Sequence, residues 1–402
     1  MKAGWSKVEI GKIAELRGRI GWKGLTAKEY TDRGPLFLSV HSLNYGDYVD
    51  YRDAFHISLQ RYDESPEIKI RPDDILICKD GAGIGKAGIV GQVPAPTTIN
   101  SSLLLIRPGE CVVPKYLYFC LTSPYFQEIV QSRLEGATTP HLYQRDITTF
   151  PIPLPPLEEQ QRIVAILDET FEGLERARAN AEANSHNARE LFDNSLIRLF
   201  EEIEVKAARL TLAQASTSFG RGRSRHRPRN APFLYGGIYP FVQTGDIRNS
   251  DGTVLEFSQT YSEHGLAQSK LWPAGTICIT IAANIAETAV LGFDACFPDS
   301  IVGMVADPKV TFPEYVEYML RYFAAELKAL GKGSAQDNIN LATFENATFP
   351  FPSIENQRQA VETLTQLSRD TAFLFQAYQA KLKDIAHIRQ SLLQKAFAGE
   401  LT

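Results

Sequence analysis

The chain has 402 residues, enough for two or three domains that each bury a core of their own. With 44% hydrophobic and 22% charged residues it has the composition of a soluble folded protein, which excludes a mainly disordered or fibrous chain. The formal net charge is −5, so any basic surface for nucleic acid must be local rather than global.

In chain order, Met1 to Arg19 carries Lys2, Lys7, Glu9, Lys12 and Glu15 and lacks the apolar core of a signal peptide. Residues 1 to 150 are rich in Gly, Pro and aromatics, with short apolar runs such as Ile75-Leu76-Ile77 and Leu103-Leu104-Leu105-Ile106 that predict buried strands. Tyr116 to Leu134 predicts an amphipathic helix. Pro151 to Pro156 stops what precedes it, and Glu158 and Glu159 then sit where acids favour a helix start. From Leu157 to Phe200 the one helix breaker is Gly173. Residues 211 to 349 repeat the mixed character, with a second predicted helix over Tyr315 to Leu330, and Pro350 to Pro352 form a second stop. Ser353 is placed as an N-cap, and Ile354 to Ala398 contains neither Gly nor Pro.

Each helical stretch could reach about 65 Å at 1.5 Å per residue. Ile163, Leu167, Thr170, Leu174, Ala177, Ala181, Asn184, Ala188 and Leu191 alternate in steps of four and three, as do Leu367, Thr371, Leu374, Tyr378, Lys381, Ile385, Ile388 and Leu392. Small residues in the first seam and larger ones in the second predict that the two helices pair.

The most apolar stretch, Thr276 to Phe293, is interrupted by Asn284 and Glu287, so no membrane span is expected and a cytoplasmic location is inferred. Cys78, Cys111, Cys120, Cys278 and Cys296 form no C-x-x-C pair and read as buried thiols. The seven histidines are dispersed, and no metal site is expected.

The chain is a duplication. Phe150-Pro151-Ile152-Pro153 returns as Phe349-Pro350-Phe351-Pro352, and Leu157-Glu158-Glu159-Gln160 returns as Ile354-Glu355-Asn356-Gln357. Pro114-Lys115-Tyr116-Leu117 aligns with Pro313-Glu314-Tyr315-Val316, Ile70-Arg71-Pro72 with Leu271-Trp272-Pro273, and Leu142 with Leu341, all at a shift of about 200 residues.

The segment Pro153-Leu-Pro-Pro-Leu-Glu-Glu-Gln-Gln-Arg-Ile-Val-Ala-Ile-Leu167 resembles the central conserved region of the specificity subunits of type I restriction-modification systems, the HsdS family. Ser391-Leu-Leu-Gln-Lys-Ala-Phe-Ala-Gly-Glu-Leu401 is similar to the C-terminal conserved tail of that family. The resemblance implies an α+β fold in which two mixed α/β target-recognition domains are separated by two long antiparallel coiled-coil helices, with an internal pseudo-two-fold repeat. The expected boundaries are 1–153 for the first recognition domain, 154–210 for the central helical region, 211–352 for the second domain and 353–402 for the C-terminal helical region. It implies a non-catalytic chain that reads an asymmetric bipartite site on double-stranded DNA. Two modification (methyltransferase) subunits would sit on its helices, and restriction (nuclease-translocase) subunits would join for cleavage. S-adenosylmethionine, ATP and magnesium would then belong to partner subunits, with no cofactor in this chain. A rigid spacer of this length could hold two readers about one DNA turn of ~34 Å apart.

The candidate DNA contacts follow from charge and hydrogen-bonding capacity. Arg221, Arg223, Arg225, Arg227 and Arg229 form the sharpest basic cluster, read as a loop without helical or strand patterning that tracks phosphates or guanine edges. Arg17, Arg19 and Lys23, beside Trp22, occupy the same relative place in the first copy. Gln243, Thr244, Asp246 and Arg248, and Gln336, Asn338 and Asn340, could pair with base edges or could satisfy turn backbones.

Asp80-Gly81-Ala82-Gly83-Ile84-Gly85-Lys86-Ala87 has the wrong spacing for a phosphate-binding loop. It reads instead as a DNA-facing turn with Lys79 and Lys86 as candidate contacts; Glu287 departs from the pattern in the second copy. Pro72-Asp73-Asp74 with Lys79 resembles a nuclease metal site, but Ile77 stands where that chemistry needs an acid. No Asn-Pro-Pro-Tyr-like run and no S-adenosylmethionine loop is present. A nuclease or methyltransferase with a diverged site, and a coiled-coil scaffold without DNA function, remain the alternatives; activity of the chain alone would favour the first, and absence of sequence-dependent binding the second.

Overall fold

The computed structural model describes residues 4–19, 25–81, 83–134, 141–282, 285–331 and 346–401. The chain forms two compact units, 1–182 with 379–402, and 183–378.

In the first unit the strands are β1 (Ser6–Glu9), β2 (Ala14–Gly18), β3 (Tyr30–Leu38), β4 (Phe55–Ile57), β5 (Ile75–Cys78), β6 (Ala87–Ile89), β7 (Thr97–Ile99), β8 (Leu103–Pro108) and β9 (Pro151–Leu154). Its helices are α1 (Leu59–Asp63), α2 (Pro114–Thr122), α3 (Pro124–Leu134), α4 (Gln144–Thr148) and the first part of α5 (Leu157–Glu204). The second unit holds the rest of α5, then β10 (Ala208–Thr211), β11 (Ser216–Arg221), β12 (Tyr235–Phe241), α6 (Thr244–Asn249), β13 (Thr253–Val254), β14 (Gln259–Tyr261) and α7 (Glu263–Ala267). It continues with β15 (Ile277–Thr280), β16 (Thr288–Leu291), β17 (Ile301–Ala306), α8 (Pro313–Tyr322), α9 (Ala324–Gly331), β18 (Thr348–Phe351) and the start of α10 (Ile354–Ala398), whose end lies in the first unit.

The duplication extends to strand pairing. Among the described residues the first unit orders a sheet β2-β8-β5-β6 and the second β11-β17-β15-β16, extended there by β13. A smaller sheet pairs β3 with β4 in one copy and β12 with β14 in the other. Strands β1 and β9 pair antiparallel, and β10 and β18 do the same. The predicted runs become β5 and β8, buried because the sheet is covered by α2 on one side and by the Leu38, Leu43 and Ile99 cluster on the other.

Two expectations about helices change. Tyr116 to Leu134 is not one helix: Ser123 is extended and Pro124 opens α3, because proline cannot accept the α conformation before it. The second copy also breaks, at Phe323, between α8 and α9.

The long helices pack within each unit. In the first, Ile163, Leu167 and Phe171 of α5 share a core with Leu393 and Ala396 of α10; in the second, Phe192, Leu196 and Phe200 of α5 share one with Leu364 of α10. The start of one helix thus lies with the end of the other, an antiparallel pair. The expected seams hold at Ile163, Leu167, Ala181, Ala188, Thr371 and Ile385 but slip elsewhere: Asn184, Leu191, Leu374, Lys381 and Ile388 are exposed, while Ser185, Phe192 and Leu393 are buried. A straight helix drifts by roughly 20° per heptad against a 3.5-residue repeat, and the buried positions of α5 from Ala188 onward, Phe192, Leu196 and Phe200, advance by four.

One buried glutamine per unit ties the helix start to the globular part. Gln160 Oε1 accepts from Val113 N at 2.8 Å, and its Nε2 donates to the carbonyls of Cys111 (3.2 Å) and Pro155 (2.8 Å). Gln357 Oε1 accepts from Thr311 Oγ1, and its Nε2 donates to Val310 and Pro352, each at 2.8 Å. Both side chains are fully buried. Nearby, Tyr116 donates to the Pro153 carbonyl and Tyr315 to the Pro350 carbonyl, each at 2.8 Å. Ser353 Oγ caps α10 through Asn356 N at 3.4 Å. Cys78, Cys120, Cys278 and Cys296 are buried as expected, but Cys111 is exposed, since it lies in the turn after β8.

Replacing Gln160 or Gln357 by leucine orphans several buried polar groups at once and should cost about 2–4 kcal/mol each; denaturant unfolding that finds less than ~1 kcal/mol would show the contacts to be dispensable.

Glu317 of α8 provides a second test. Burial pushes its carboxyl up to about 7, with Asp251 adding to the rise and Arg321 opposing it. Because the folded value lies above the unfolded one, this residue's contribution favours the fold fully below about pH 4.5 and is lost as pH rises through 7. Glu317→Gln should therefore raise stability at pH 8, by about 3 kcal/mol at most, and leave it nearly unchanged at pH 4; equal effects at both values would contradict this.

Candidate nucleic-acid interface

The arginine stretch of the second unit begins on β11 and continues as extended chain. Arg221, Arg223 and Arg225 are exposed while Gly222 and Ser224 between them are buried, so the period is two and the segment is strand-like. The stretch from 222 to 230 is a loop as expected, but its first part, Arg221 to Arg225, alternates in burial because the glycine and serine supply inward positions that a hydrophobic-pattern reading overlooks. Gly222 N donates to Ile301 O (2.9 Å), Arg223 N to Phe297 O (3.1 Å), and the amides of Arg225 and His226 to Gln268 Oε1. A Cβ on Gly222 would lie 2.3 Å from the Phe297 carbonyl and 2.4 Å from that of Pro298, so only glycine fits.

The five arginines divide by their partners. Arg227 donates to the Ser224 and His226 carbonyls (2.6 and 2.9 Å), and Arg229 pairs with Asp299 at 2.7 Å. Arg221, Arg223 and Arg225 have no carboxylate partner among the described residues. They are the guanidinium groups available to an anionic ligand.

The first-copy candidates behave differently. Arg17 lies on β2 and bonds Glu15 through Nε at 2.9 Å. Arg19 is not a surface contact: it is 3% exposed, donates to Ile99 O at 3.1 Å and lies over the Phe37 ring. Burial holds its pKa below the ordinary arginine value. The residue is used to stitch β2 to the smaller sheet, a role that a charge pattern does not distinguish from DNA contact. Lys23, with Trp22, lies outside the described residues, as do Gln336, Asn338 and Asn340.

The glycine-rich segment is the turn between antiparallel β5 and β6. Gly85 N bonds Cys78 O at 2.9 Å and Lys86 N bonds Gly83 O at 2.9 Å, with Gly81 and Gly85 at positive φ. No helix follows it, which removes the geometry of a phosphate-binding loop. Lys79 is half-buried; Lys86 is exposed with Nζ 2.7 Å from Asn44 Oδ1. Asp80 of this turn pairs with His141, and Leu142 N donates to Lys79 O at 2.9 Å, so the turn lies beside the chain at His141 and Leu142.

The second unit inverts these charges. Strand register puts Glu287 at the place of Lys86, where it pairs with Lys328 at 3.2 Å; counted from the N-cap residues Ser39 and Gln243, exposed Arg248 stands at the place of Asn44. Gln243 is the N-cap residue of α6, with its amide bonded to Asp246 Oδ2 at 2.8 Å, and Thr244 is the half-buried first residue of the helix. Asp246 is therefore a capping residue, the turn-satisfying reading.

Charge and hydrogen-bond groups that the sequence did not single out also gather here. Asp47 accepts from Tyr118 Oη at 2.9 Å and from Arg389 of α10 at 2.8 Å, and Arg389 lies 4.0 Å from the Phe171 ring centroid. The recognition domain and the helix pair of the first unit are thus clamped by one carboxylate. A pairing 342 residues apart in sequence leaves no local signal. Among the described residues no group of three or more His, Cys, Asp or Glu is placed to hold a metal ion, and no helix is long and apolar enough to cross a membrane.

The two units share one strand order, and the second presents three arginines that have no carboxylate partner among the described residues. A family profile described as "Type I restriction modification DNA specificity domain" matches residues 2–184 and 221–391, and the chain belongs to that family. It is a specificity subunit, the component of a type I restriction-modification complex that selects the target and does not itself carry out the reaction.

It is 21% identical to the type I restriction enzyme EcoKI specificity subunit of Escherichia coli K12, over 98% of this chain and 91% of that one, and 21% identical to the EcoBI specificity subunit of Escherichia coli, over 99% and 86%. The fold is that of the HsdS subunit from Thermoanaerobacter tengcongensis (20% identity, TM-score 0.67, 100% of this chain and 98% of that one). It is also that of a chain from a study of complex assembly and conformational transition of the type I restriction-modification system (20% identity, TM-score 0.78, 100% and 99%).

Gly222→Ala should lower the thermal midpoint by several degrees, because backbone carbonyls cannot move aside cheaply, whereas Gly245→Ala, with open space around its Cβ inside α6, should leave it unchanged or raise it slightly. Equal midpoints for the two variants would show that the arginine strand is not pinned at Gly222.

Proposed function

We propose that each unit reads one half of a bipartite, asymmetric site on double-stranded DNA. The observation that carries this is the pairing of one strand order with unlike charge: Lys86 against Glu287, Asn44 against Arg248, and, in the second unit, three arginines without a carboxylate partner among the described residues. In this reading Arg221, Arg223, Arg225 and Arg248 serve the second half-site, and Lys79 and Lys86 the first. Arg17 is a candidate only where its Glu15 pair opens.

Two modification subunits would dock on the exposed faces of α5 and α10, and restriction subunits would join for cleavage. Methyl donor S-adenosylmethionine, ATP and magnesium would be held by those partners, and the site of action would be the cytoplasm. The buried face of each helix start, with Gln160 and Gln357, is occupied by the recognition domain and is not partner surface.

The test is co-expression with the modification subunits in a methylation-free host, followed by genome-wide mapping of methylated bases. A bipartite motif with two unlike halves is expected, and its absence would remove the reading. Exchanging residues 211–349 for a relative's segment should alter one half only; changes in both halves would contradict two independent readers.

A further inference from the structure

Lys270 directly precedes Leu271-Trp272-Pro273 and Lys69 directly precedes the sequence-aligned Ile70-Arg71-Pro72, but the fold shifts this match by one residue: Asp74 N bonds Arg71 O as Thr276 N bonds Pro273 O, so Leu271 stands at the place of Lys69 and Lys270 one residue before it. In the first unit this neighbourhood is neutralised. Lys69 Nζ lies 2.5 Å from Asp63, Arg107 makes two 2.8 Å bonds to Asp74, and Arg17 is bonded to Glu15.

Strand register identifies what stands at these places in the second unit. Glu15 faces Arg107 across β2 and β8, and Ser218 faces Val305 across β11 and β17. Asp74 precedes β5 as Thr276 precedes β15, and Asp63 ends α1 as Ala267 ends α7. Ser218, Thr276 and Ala267 thus stand where the first unit has three carboxylates, and Lys270 adds a cation one residue before the place of Lys69.

Lys270 Nζ rests 3.0 Å from Ser218 Oγ and 3.3 Å from the Trp272 ring centroid. Ser269 Oγ donates to the Arg223 carbonyl at 2.8 Å, which holds the arginine strand against this lysine. Burial and the neighbouring Arg223 charge both hold the ammonium's pKa below the ordinary lysine value, the signature of a cation lacking its counter-ion. The face of Trp272 offsets part of that cost but supplies no negative charge. Among the described residues neither Lys270 nor Arg223 has a carboxylate partner.

We propose that Lys270, Arg223 and Ser218 form an oxyanion site for one phosphate of the DNA backbone, present in the second unit and cancelled by carboxylates at the equivalent place in the first. The site rests on the DNA-reading role proposed above. A phosphate held there fixes the register of the second domain on the duplex and carries no sequence information, leaving base discrimination to other groups.

The experiment uses the full chain in complex with its modification subunits. Lys270→Met, which keeps the packing on Trp272, should weaken duplex binding about tenfold at low salt. It should also reduce the slope of log affinity against log salt by about one, equally on target and non-target duplexes. Ser218→Asp, which restores an acid at the place of Glu15, should act in the same direction, and Lys69→Met should change neither quantity. Acetylation of Lys270, followed by mass spectrometry, should be slowed in the unsubstituted complex by duplex and by inorganic phosphate.

Wild-type slope and affinity for Lys270→Met, or no protection of Lys270 by duplex, overturn the proposal; protection by inorganic phosphate alone identifies a free-anion site and overturns the DNA assignment. If the unsubstituted complex binds no duplex at all, the DNA-reading role fails, while protection by inorganic phosphate still reports separately on the anion site.

Discussion

A buried carboxamide stands at the first turn of each long helix, bonded on both its donor and acceptor sides to chain that belongs to the recognition domain. A glutamine in this position cannot be replaced by rotation or by solvent, since its partners are backbone carbonyls and an amide or hydroxyl with no other outlet. The constraint couples two things that would otherwise be independent, the orientation of the helix and the ladder between the domain's first and last strands. With that ladder closed at β1 and β9, and at β10 and β18, each domain begins and ends beside its own helix. The chain can then leave one unit along α5 and return along α10 without loosening either core.

How much of this is legible in the sequence depends on whether the signal is local. The strands at Ile75 and Leu103, the cap at Ser353 and the duplication are carried by contiguous residues and found where they are expected, whereas the proline stops precede the long helices but are themselves strands β9 and β18. The break at Pro124 is local too, yet a run of apolar residues masked it. The seams slip because a repeat of threes and fours has several registers, and the choice between Leu191 and Phe192 is made by Tyr318 and Arg321 of α8, which contact Phe192 and are distant in sequence.

The candidate interface was less legible, for a physical reason: a charge is informative only together with its partner. Arg19 and Arg221 look alike in the sequence, but one is buried over Phe37 and the other is exposed at a strand end. Asp47 and Arg389 meet across nearly the whole chain. Lys270 gives no cue beyond its position before Leu-Trp-Pro, since what distinguishes it is the absence of Asp63, Asp74 and Glu15 equivalents on three separate elements. Only the alignment of two folded copies makes such an absence visible.

Those differences also explain how two readers can diverge on one scaffold. The partly buried Arg107–Asp74 pair and the neutral Val305 and Thr276 occupy equivalent positions, on β8 and β17 and just before β5 and β15. Exchanging a buried ion pair for neutral residues of fitting shape costs little stability and is often favourable, because the desolvation of two charges is recovered. Charge in this layer is therefore free to drift without endangering the sheet, whereas the glutamine contacts and the strand ladder are not. A duplicated fold partitioned in this way can change what it presents to a polyanion while holding constant how it is mounted on its helices. In the second unit Ser218, Thr276 and Ala267 stand where the first has acids while Lys270 and the exposed arginines are present, so a chain of net negative charge still carries a locally basic face.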